Sequence, residues 1–417
     1  MLKNELPASG LDEQLHTDSR SNETKVFNVF DASIKAGSNV TLAYSGGKDS
    51  TVLAILLYRW AKHRHLKNLK VTLLHNDTLS EIDMMEKWAR SFMDDFRKKM
   101  DELGNTTTVE VAVPPAIDTF YWRTLVRGYP AMSYNFRWCV KLLKMQPTMK
   151  SIANTETNLV MTGLRELESR ERERLVKQKY GGCPLGPSKC LAYYFLARDD
   201  QKSRKVAPLR DWTNSEIWEF MRRVEDFDMA DLLYLYGCAE ARYGCWHCTL
   251  ARVQWGLHAL EREYLYFDAL RLLYRRISDL PTLRFKKKTG YSRLGALNAT
   301  GRSMLFHLLR IVEEKSGIRI YGLDEVKIRG HSLRTILYEL NEAEAQRLIS
   351  EADPRVGRKR TVEIGVLRDI KTHKSRVRAA ANKIEKMTKT DRSRVLALAK
   401  GFDPTKELLD SLLLRLQ

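Results

Sequence analysis

Six residues, Ser45-Gly46-Gly47-Lys48-Asp49-Ser50, constrain the fold of this chain more tightly than any other stretch. They follow the β-prone run NVTLAY at 39–44 and lead directly into STVLAILLYRW, whose apolar residues recur at helical spacing. A strand that ends in a glycine-rich turn and opens a helix aims backbone N–H groups, and the positive end of the helix dipole, at one point. A phosphate group fits there. Gly46 and Gly47 carry no Cβ, so they can take positive φ and let phosphate oxygens approach the main chain. Ser45 and Ser50 offer hydroxyls, Lys48 a charge, and Asp49 a carboxylate that orients the loop or helps to hold magnesium. The spacing is neither the Walker pattern GxxxxGK(S/T) nor the dinucleotide pattern GxGxxG.

The flanking text repeats the alternation of strand and helix. Candidate strands fall at Asn39–Tyr44, Leu69–His75, Thr108–Ala112 and Asn158–Thr162, with candidate helices at Asp49–Leu66 and Ser80–Leu103. This order predicts an α/β domain over residues 26–255, a parallel twisted sheet flanked by helices. Residues 1–25 are polar, lack apolar periodicity and read as an N-terminal arm. Beyond residue 255 the long Leu- and Arg-rich stretches Glu261–Ile277 and Met304–Ser316 predict a mainly helical, basic domain over 256–417.

Charge narrows the partner. Lys and Arg number 71 against 52 Asp and Glu, a net +19, which suits a polyanion, with nucleic acid the leading candidate. A generally basic or thermophilic surface is the plain alternative. No apolar run approaches the roughly 18 residues of a membrane span, and the polar start has no secretory apolar region. A cytoplasmic protein with no membrane partner is therefore expected.

Six cysteines in a reducing compartment argue for metal or redox chemistry over a disulfide framework. Cys238, Cys245 and Cys248 form C-x6-C-x2-C, and the C-x2-C half is a compact chelate. Cys139 is the natural fourth ligand. Four thiolates suit a [4Fe–4S] cluster, while zinc, also with Cys183 and Cys190, and unligated core thiols remain open. His247, inside the chelate loop, is the less expected ligand.

The loop Ser45–Ser50 resembles the SGGxDS signature of the PP-loop ATP pyrophosphatases, a family that adenylates substrates and releases pyrophosphate. Further segments resemble its phosphoadenosine-phosphosulfate-reductase-like branch: His75-Asn76-Asp77-Thr78; Arg137-Trp138-Cys139 with Lys141, Lys144 and Pro147; and Thr162-Gly163-Leu164-Arg165 with Glu168-Ser169 and Arg172. The resemblance implies an adenine nucleotide alpha hydrolase-like fold, with ATP and Mg2+ held by Ser45, Gly46, Gly47, Lys48, Asp49, Ser50, Asp77 and Gly163. Lys48, Asp49, Ser50, Arg165 and Arg172 would then serve catalysis, the arginines gripping phosphate oxygens in pairs. Gly244-Cys245-Trp246-His247-Cys248-Thr249 is similar to the cysteine region of the DndC and SspD proteins of DNA phosphorothioation systems. That likeness runs from about residue 38 to residue 250. It implies replacement of a non-bridging DNA phosphate oxygen by sulfur, with a cysteine desulfurase as donor and other phosphorothioation proteins as partners.

Two basic clusters are candidates for the nucleic acid backbone: Lys286, Lys287 and Lys288 with Arg293, and Arg358, Lys359 and Arg360 with the run Lys371, Lys374, Arg376 and Arg378. A solvated helix face is the plain alternative for both. Transfer-RNA thiolation shares adenylation, cluster and basic surface. A phosphosulfate reductase would need a C-terminal nucleophilic cysteine, and none follows Cys248. A non-catalytic scaffold of a defence system would have no need of an intact Lys48-Asp49-Ser50.

Overall fold

The computed structural model describes residues 22–168, 194, 204–237, 243–286, 294–353 and 363–417. Packing divides the chain into two compact units that interleave in sequence. One comprises Met1–Asn76, Lys87–Ala112 and Thr148–Leu233; the other comprises Asp77–Glu86, Val113–Pro147 and Tyr234–Gln417. Where the sequence suggests one cut at residue 255, the packing crosses between units at several points. Residues 22–33 are helical (α1), so the helix begins inside the stretch read as an arm.

The first unit is built on a five-stranded parallel sheet. Its strands are β1 (Asn39–Tyr44), β2 (Lys70–Asn76), β3 (Thr106–Ala112), β4 (Leu159–Thr162) and β5 (Arg204–Val206), in the order β3-β2-β1-β4-β5. β1 lies in the middle, in register with β2 from Asn39↔Lys70 to Tyr44↔His75 and with β4 from Val40↔Leu159 to Ala43↔Thr162. Parallel strands need long crossovers, which the helices α2 (Lys48–His63) and α3 (Asp83–Glu102) supply. Both faces of such a sheet are covered, and β1 and β4 are accordingly almost wholly buried. The expected α/β class is thus the observed one, and the four expected strands lie within two residues of their limits. Helix α4 (Gln146–Asn154) precedes β4, and α5 (Asn214–Arg222) starts with a capping box between Thr213 and Glu216.

The second unit is mainly helical, as expected of the C-terminal region. Its larger helices are α6 (Leu265–Asp279), α7 (Ala299–Ser316), α8 (Glu342–Ala352), α9 (Lys374–Thr388), α10 (Arg392–Ala399) and α11 (Pro404–Leu414). α6 and α7 carry long apolar faces that bury Leu270, Leu273, Ile277, Leu305, Leu308 and Leu309 completely. Asn298 caps α7 by accepting the Gly301 N–H at 3.1 Å. Arg271, buried on α6, donates to Asp268 and Ser393, tying α6 to α10. No helix among the described residues is long and apolar enough to cross a membrane.

Candidate functional site

The loop Ser45–Ser50 leaves the carboxyl end of β1, where the strand order turns from β2 on one side to β4 on the other. Open α/β sheets bind ligands at this switch point, because the two neighbouring crossovers diverge there and leave a crevice. Gly46 has φ +73°, a conformation that a side chain would strain. Gly47 is the N-cap of α2 and brings no side-chain cap, so the start of the helix is left to backbone groups.

Short hydrogen bonds hold the loop closed upon itself. The Ser50 hydroxyl donates to the Gly47 carbonyl at 2.9 Å and accepts the Ser45 N–H at 3.1 Å. The Ser45 hydroxyl lies 3.1 Å from that of Ser50 and accepts the Gly47 N–H at 3.4 Å. From α3, the Trp88 indole donates to the Gly46 carbonyl at 3.1 Å. The loop therefore has a preset shape before any ligand arrives.

Behind it, Asp49 accepts from two cations. Lys48 Nζ lies 3.0 Å from Asp49 Oδ2, and Arg165 Nε lies 2.7 Å from Asp49 Oδ1. Arg165, only 2% exposed at its side chain, also donates to the Trp212 carbonyl at 3.3 Å and to Asn214 Oδ1 at 3.4 Å. Its place is that of a brace between β4, the loop and α5. Gly163, at the end of β4, completes the cradle: a Cβ there would lie 2.9 Å from the Asp49 carbonyl carbon and oxygen and 3.0 Å from the Ser50 nitrogen. Next to it Glu166 and Arg210 pair at 3.0 Å. Of the residues expected around phosphate, Ser45, Gly46, Gly47, Lys48, Asp49, Ser50, Gly163 and Arg165 come together; Arg172 lies outside the described residues.

Asp77, expected near ribose or magnesium, belongs to the second unit. It is fully buried, and its carboxylate accepts the Leu79 N–H at 2.7 Å and the Tyr321 hydroxyl at 2.5 Å. These bonds fix a turn in which Leu79 itself has φ +56°.

That unit also collects thiols. Cys245 Sγ lies 3.3 Å from Thr78 Oγ1 and 3.4 Å from Glu81 Oε1, and Thr78 donates to the same Glu81 oxygen at 3.2 Å. Burial, and then the Cys245 thiol, push the Glu81 carboxyl up to about 8. Burial, then Cys245 and Cys248, push the Cys139 thiol up to about 11. Lys144 is held above the ordinary lysine value first by Cys245 and, against its own desolvation, by Glu81, Cys248 and Cys139. As a residue Lys144 is exposed, so solvent screens this attraction. Such shifts keep Cys139 a thiol and Glu81 largely protonated at neutral pH.

The metal expectation rests on four thiols, of which Cys139, Cys245 and Cys248 are described. Among the described residues no three His, Cys, Asp or Glu side chains converge on one metal position, although Cys139, Cys245 and Cys248 are all free. The physical reason lies in the packing of the loop: Cys245 turns to Thr78 and Glu81, and the Trp246 N–H donates to the Ser80 carbonyl at 3.2 Å. Among the described residues, Cys139, Cys245 and Cys248 do not by themselves assemble a metal site. Cys183, Cys190 and Cys238 lie outside the described residues. His247 stacks on Phe120 at 3.7 Å, bonds Ser80 at 3.0 Å, and is pushed by burial down to about 3, as befits a neutral core ring.

Lys286 ends a short strand, Arg284–Lys286, while Lys287, Lys288, Arg293, Arg358, Lys359 and Arg360 lie outside the described residues. The sequence reading missed Trp88 and Glu81, and quoted Thr78 without giving it a role. Trp88 follows the apolar spacing of α3 and was hidden by it; only its indole N–H, a donor that needs an acceptor when buried, hinted at more. Thr78 closes the quoted His75–Thr78 motif and Glu81 lies three residues beyond it, where a strand-end cluster of polar side chains was the available signal.

An uncharacterized protein of Methanocaldococcus jannaschii is 23% identical over 215 residues, 51% of this chain and 42% of that protein. Sulfate adenylyltransferase subunit 2 of Methylorubrum extorquens strain PA1 is 27% identical over 227 residues, 52% of this chain and 65% of the subunit. The chain thus spans less than two thirds of the length of either relative. Among solved structures, phosphoadenylyl-sulfate reductase from Candida auris in a phosphate complex is 16% identical, covering 59% of this chain and 98% of that one, with TM-score 0.33. FMN adenylyltransferase of Candida glabrata is 14% identical, covering 53% and 62%, with TM-score 0.29. Residues 39–251, just over half of the chain, match the family described by its phosphoadenosine phosphosulfate reductase domain, and the chain belongs to that family.

Proposed function

We propose that this protein is an ATP pyrophosphatase that adenylates a DNA backbone phosphate for sulfur transfer, as DndC-type proteins of DNA phosphorothioation do. The observation that carries the reading is the preset loop Ser45–Ser50, with Gly46 at positive φ and α2 opening behind it at the switch point of a parallel sheet. MgATP enters as substrate, its phosphates against the N–H groups of the loop and the Lys48 ammonium. A non-bridging DNA phosphate oxygen attacks the α-phosphorus, pyrophosphate leaves, and a phosphate–AMP anhydride forms. Sulfur from a cysteine desulfurase persulfide, released at the sulfide level by a thiol reductant, then attacks the DNA phosphorus, forming the P–S bond as the P–O bond to AMP breaks. Lys48 stabilises charge developing on the departing phosphates, and Arg165 keeps Asp49 and the loop in place. No step is assigned to a metal cluster, since the described thiols do not assemble a site for one.

The similarity to a sulfate adenylyltransferase subunit supports a second reading, adenylation of free sulfate, by the same attack with a different nucleophile. Release of pyrophosphate and AMP from ATP, measured with duplex DNA, transfer RNA or sulfate added in turn, separates the readings. DNA-stimulated pyrophosphate release that disappears in Ser50→Ala is expected. Stimulation by sulfate or transfer RNA alone would replace the DNA reading, and no nucleotide binding at all would end every version of it.

A further inference from the structure

Helix α9 (Lys374–Thr388) presents a basic face that the reading above does not use. Residues 371–389 contain seven cations, Lys371, Lys374, Arg376, Arg378, Lys383, Lys386 and Lys389, against the single acid Glu385. All seven are exposed, whereas Glu385 is half-buried. Among the described residues none of the seven makes an ion pair. The opposite face, Val377, Ala380, Ala381, Ile384 and Thr388, is buried, so the helix is clamped with its cations outward.

The spacing gives the face a direction. Lys374, Arg378, Asn382 and Lys386 recur every four residues and form one row, about 18 Å long at 1.5 Å rise per residue. Lys389 prolongs it, and Arg376 and Lys383, seven apart, form a parallel flank. Helix stability does not account for this arrangement. The first turn of α9 holds no acid, and Lys374 and Arg376 sit against the positive end of the helix dipole, where each cation costs roughly 0.3 to 1 kcal/mol. Local rules broken without a local gain mark positions kept for another reason.

The chemistry of the face selects its partner. None of the large exposed apolar side chains lies between 371 and 389. Single-stranded nucleic acid needs aromatic platforms for its bases, and a protein partner needs an apolar centre ringed by polar groups. Ser375, Ala379 and Asn382, small or uncharged, fill the spaces between the cations. A flat row of cations without stacking groups fits the phosphate backbone of a duplex, which carries one charge per roughly 1.7 Å of axis.

We infer that the exposed face of α9 is a sequence-independent docking surface for the phosphate backbone of double-stranded DNA. The inference rests on the DNA reading above and adds the surface that holds the duplex. It is tested on the full chain by the salt dependence of binding to duplexes of unrelated sequence, comparing wild type with K374Q/R378Q/K386Q. Each phosphate contact contributes about 0.9 to the slope of log K against log salt, so the triple variant loses about 2.7 from that slope. Its affinity for every duplex falls on the order of a hundredfold at 0.1 M salt. DNA-independent pyrophosphate release stays unchanged and the unfolding midpoint does not fall, because the three side chains are exposed, lie outside the nucleotide loop, and Lys374 opposes the helix dipole. A triple variant that keeps the wild-type slope overturns the docking surface alone. Wild type that binds no duplex at low salt overturns the surface and the DNA reading together, and tighter binding to transfer RNA overturns the choice of duplex.

Discussion

Gly163→Ala tests the cradle most directly. A Cβ at 163 would sit 2.9 Å from two main-chain atoms of Asp49 and 3.0 Å from the Ser50 nitrogen. Carbon atoms in good contact stand about 3.5 to 4.0 Å apart, so roughly half an ångström must be found. Neither side yields easily. Gly163 follows a strand hydrogen-bonded on both edges, and Asp49 lies in the first turn of a helix buried along most of its length. Overpacking of this kind costs about 1 to 3 kcal/mol. The loop feels the shift as well: where a misplacement of about 1 Å costs roughly a hundredfold in rate, half of it costs about tenfold in kcat/KM, or about 1.4 kcal/mol. The assay is initial pyrophosphate release against ATP concentration, paired with denaturant unfolding of the same samples. Gly244→Ala, where a Cβ meets nothing within 4 Å, is the control and keeps wild-type values. Unchanged kcat/KM and unchanged stability in Gly163→Ala would refute the claim that β4 and the loop are in forced contact.

Three further perturbations probe other parts of the molecule. Trp88→Phe keeps the ring packing but removes the donor to the Gly46 carbonyl; a loss of about 1 kcal/mol and a several-fold rise in KM for ATP are expected from kinetics and urea titration. Asp49→Asn leaves the buried Arg165 guanidinium without its carboxylate, costing about 2 kcal/mol once the one-fifth exposure of Asp49 is allowed for; Arg165→Met in the same chain recovers part of the loss in a double-mutant cycle. His307, buried with Nε2 at 2.9 Å from the Arg368 carbonyl and Nδ1 at 3.3 Å from Arg415, is pushed by burial down to about 4. Between about pH 6.5 and 4 the unfolded chain holds a proton there that the folded chain lacks, so this contribution is present above pH 6.5 and lost as pH falls towards 4. His307→Gln flattens that part of the stability-against-pH curve, and a variant with the wild-type slope would place the proton elsewhere.

Much of the first unit was legible because its signals are local. The run Asn39–Tyr44 is strand in full, the Ser45–Ser50 turn opens a helix where the spacing requires one, and Thr162-Gly163 closes the adjacent strand. β5 escaped notice since three residues, Arg204–Val206, carry too little periodicity and are strand only through their pairing with β4. For Arg165 the sequence suggests a hand for phosphate, and packing sends it to Asp49, Trp212 and Asn214. Asp77 likewise stood at a strand end, and Tyr321, more than two hundred residues away in the chain, engages its carboxylate.

The thiols mark the limit of reading by spacing. C-x2-C brings two sulfurs near each other along the chain, yet where each Sγ points depends on what the neighbouring backbone and rings are fixed against. Here Trp246 is held to Ser80 and His247 lies flat on Phe120, and Cys245 is left facing Thr78 and Glu81. Alternation of strand and helix, the glycine turn and the basic balance belong to the sequence alone, because backbone preference and charge act over a few residues. The brace behind the loop, the turn at Asp77, the aim of the thiols and the outward row on α9 were decided by tertiary structure, because each depends on contacts between residues that only folding brings together.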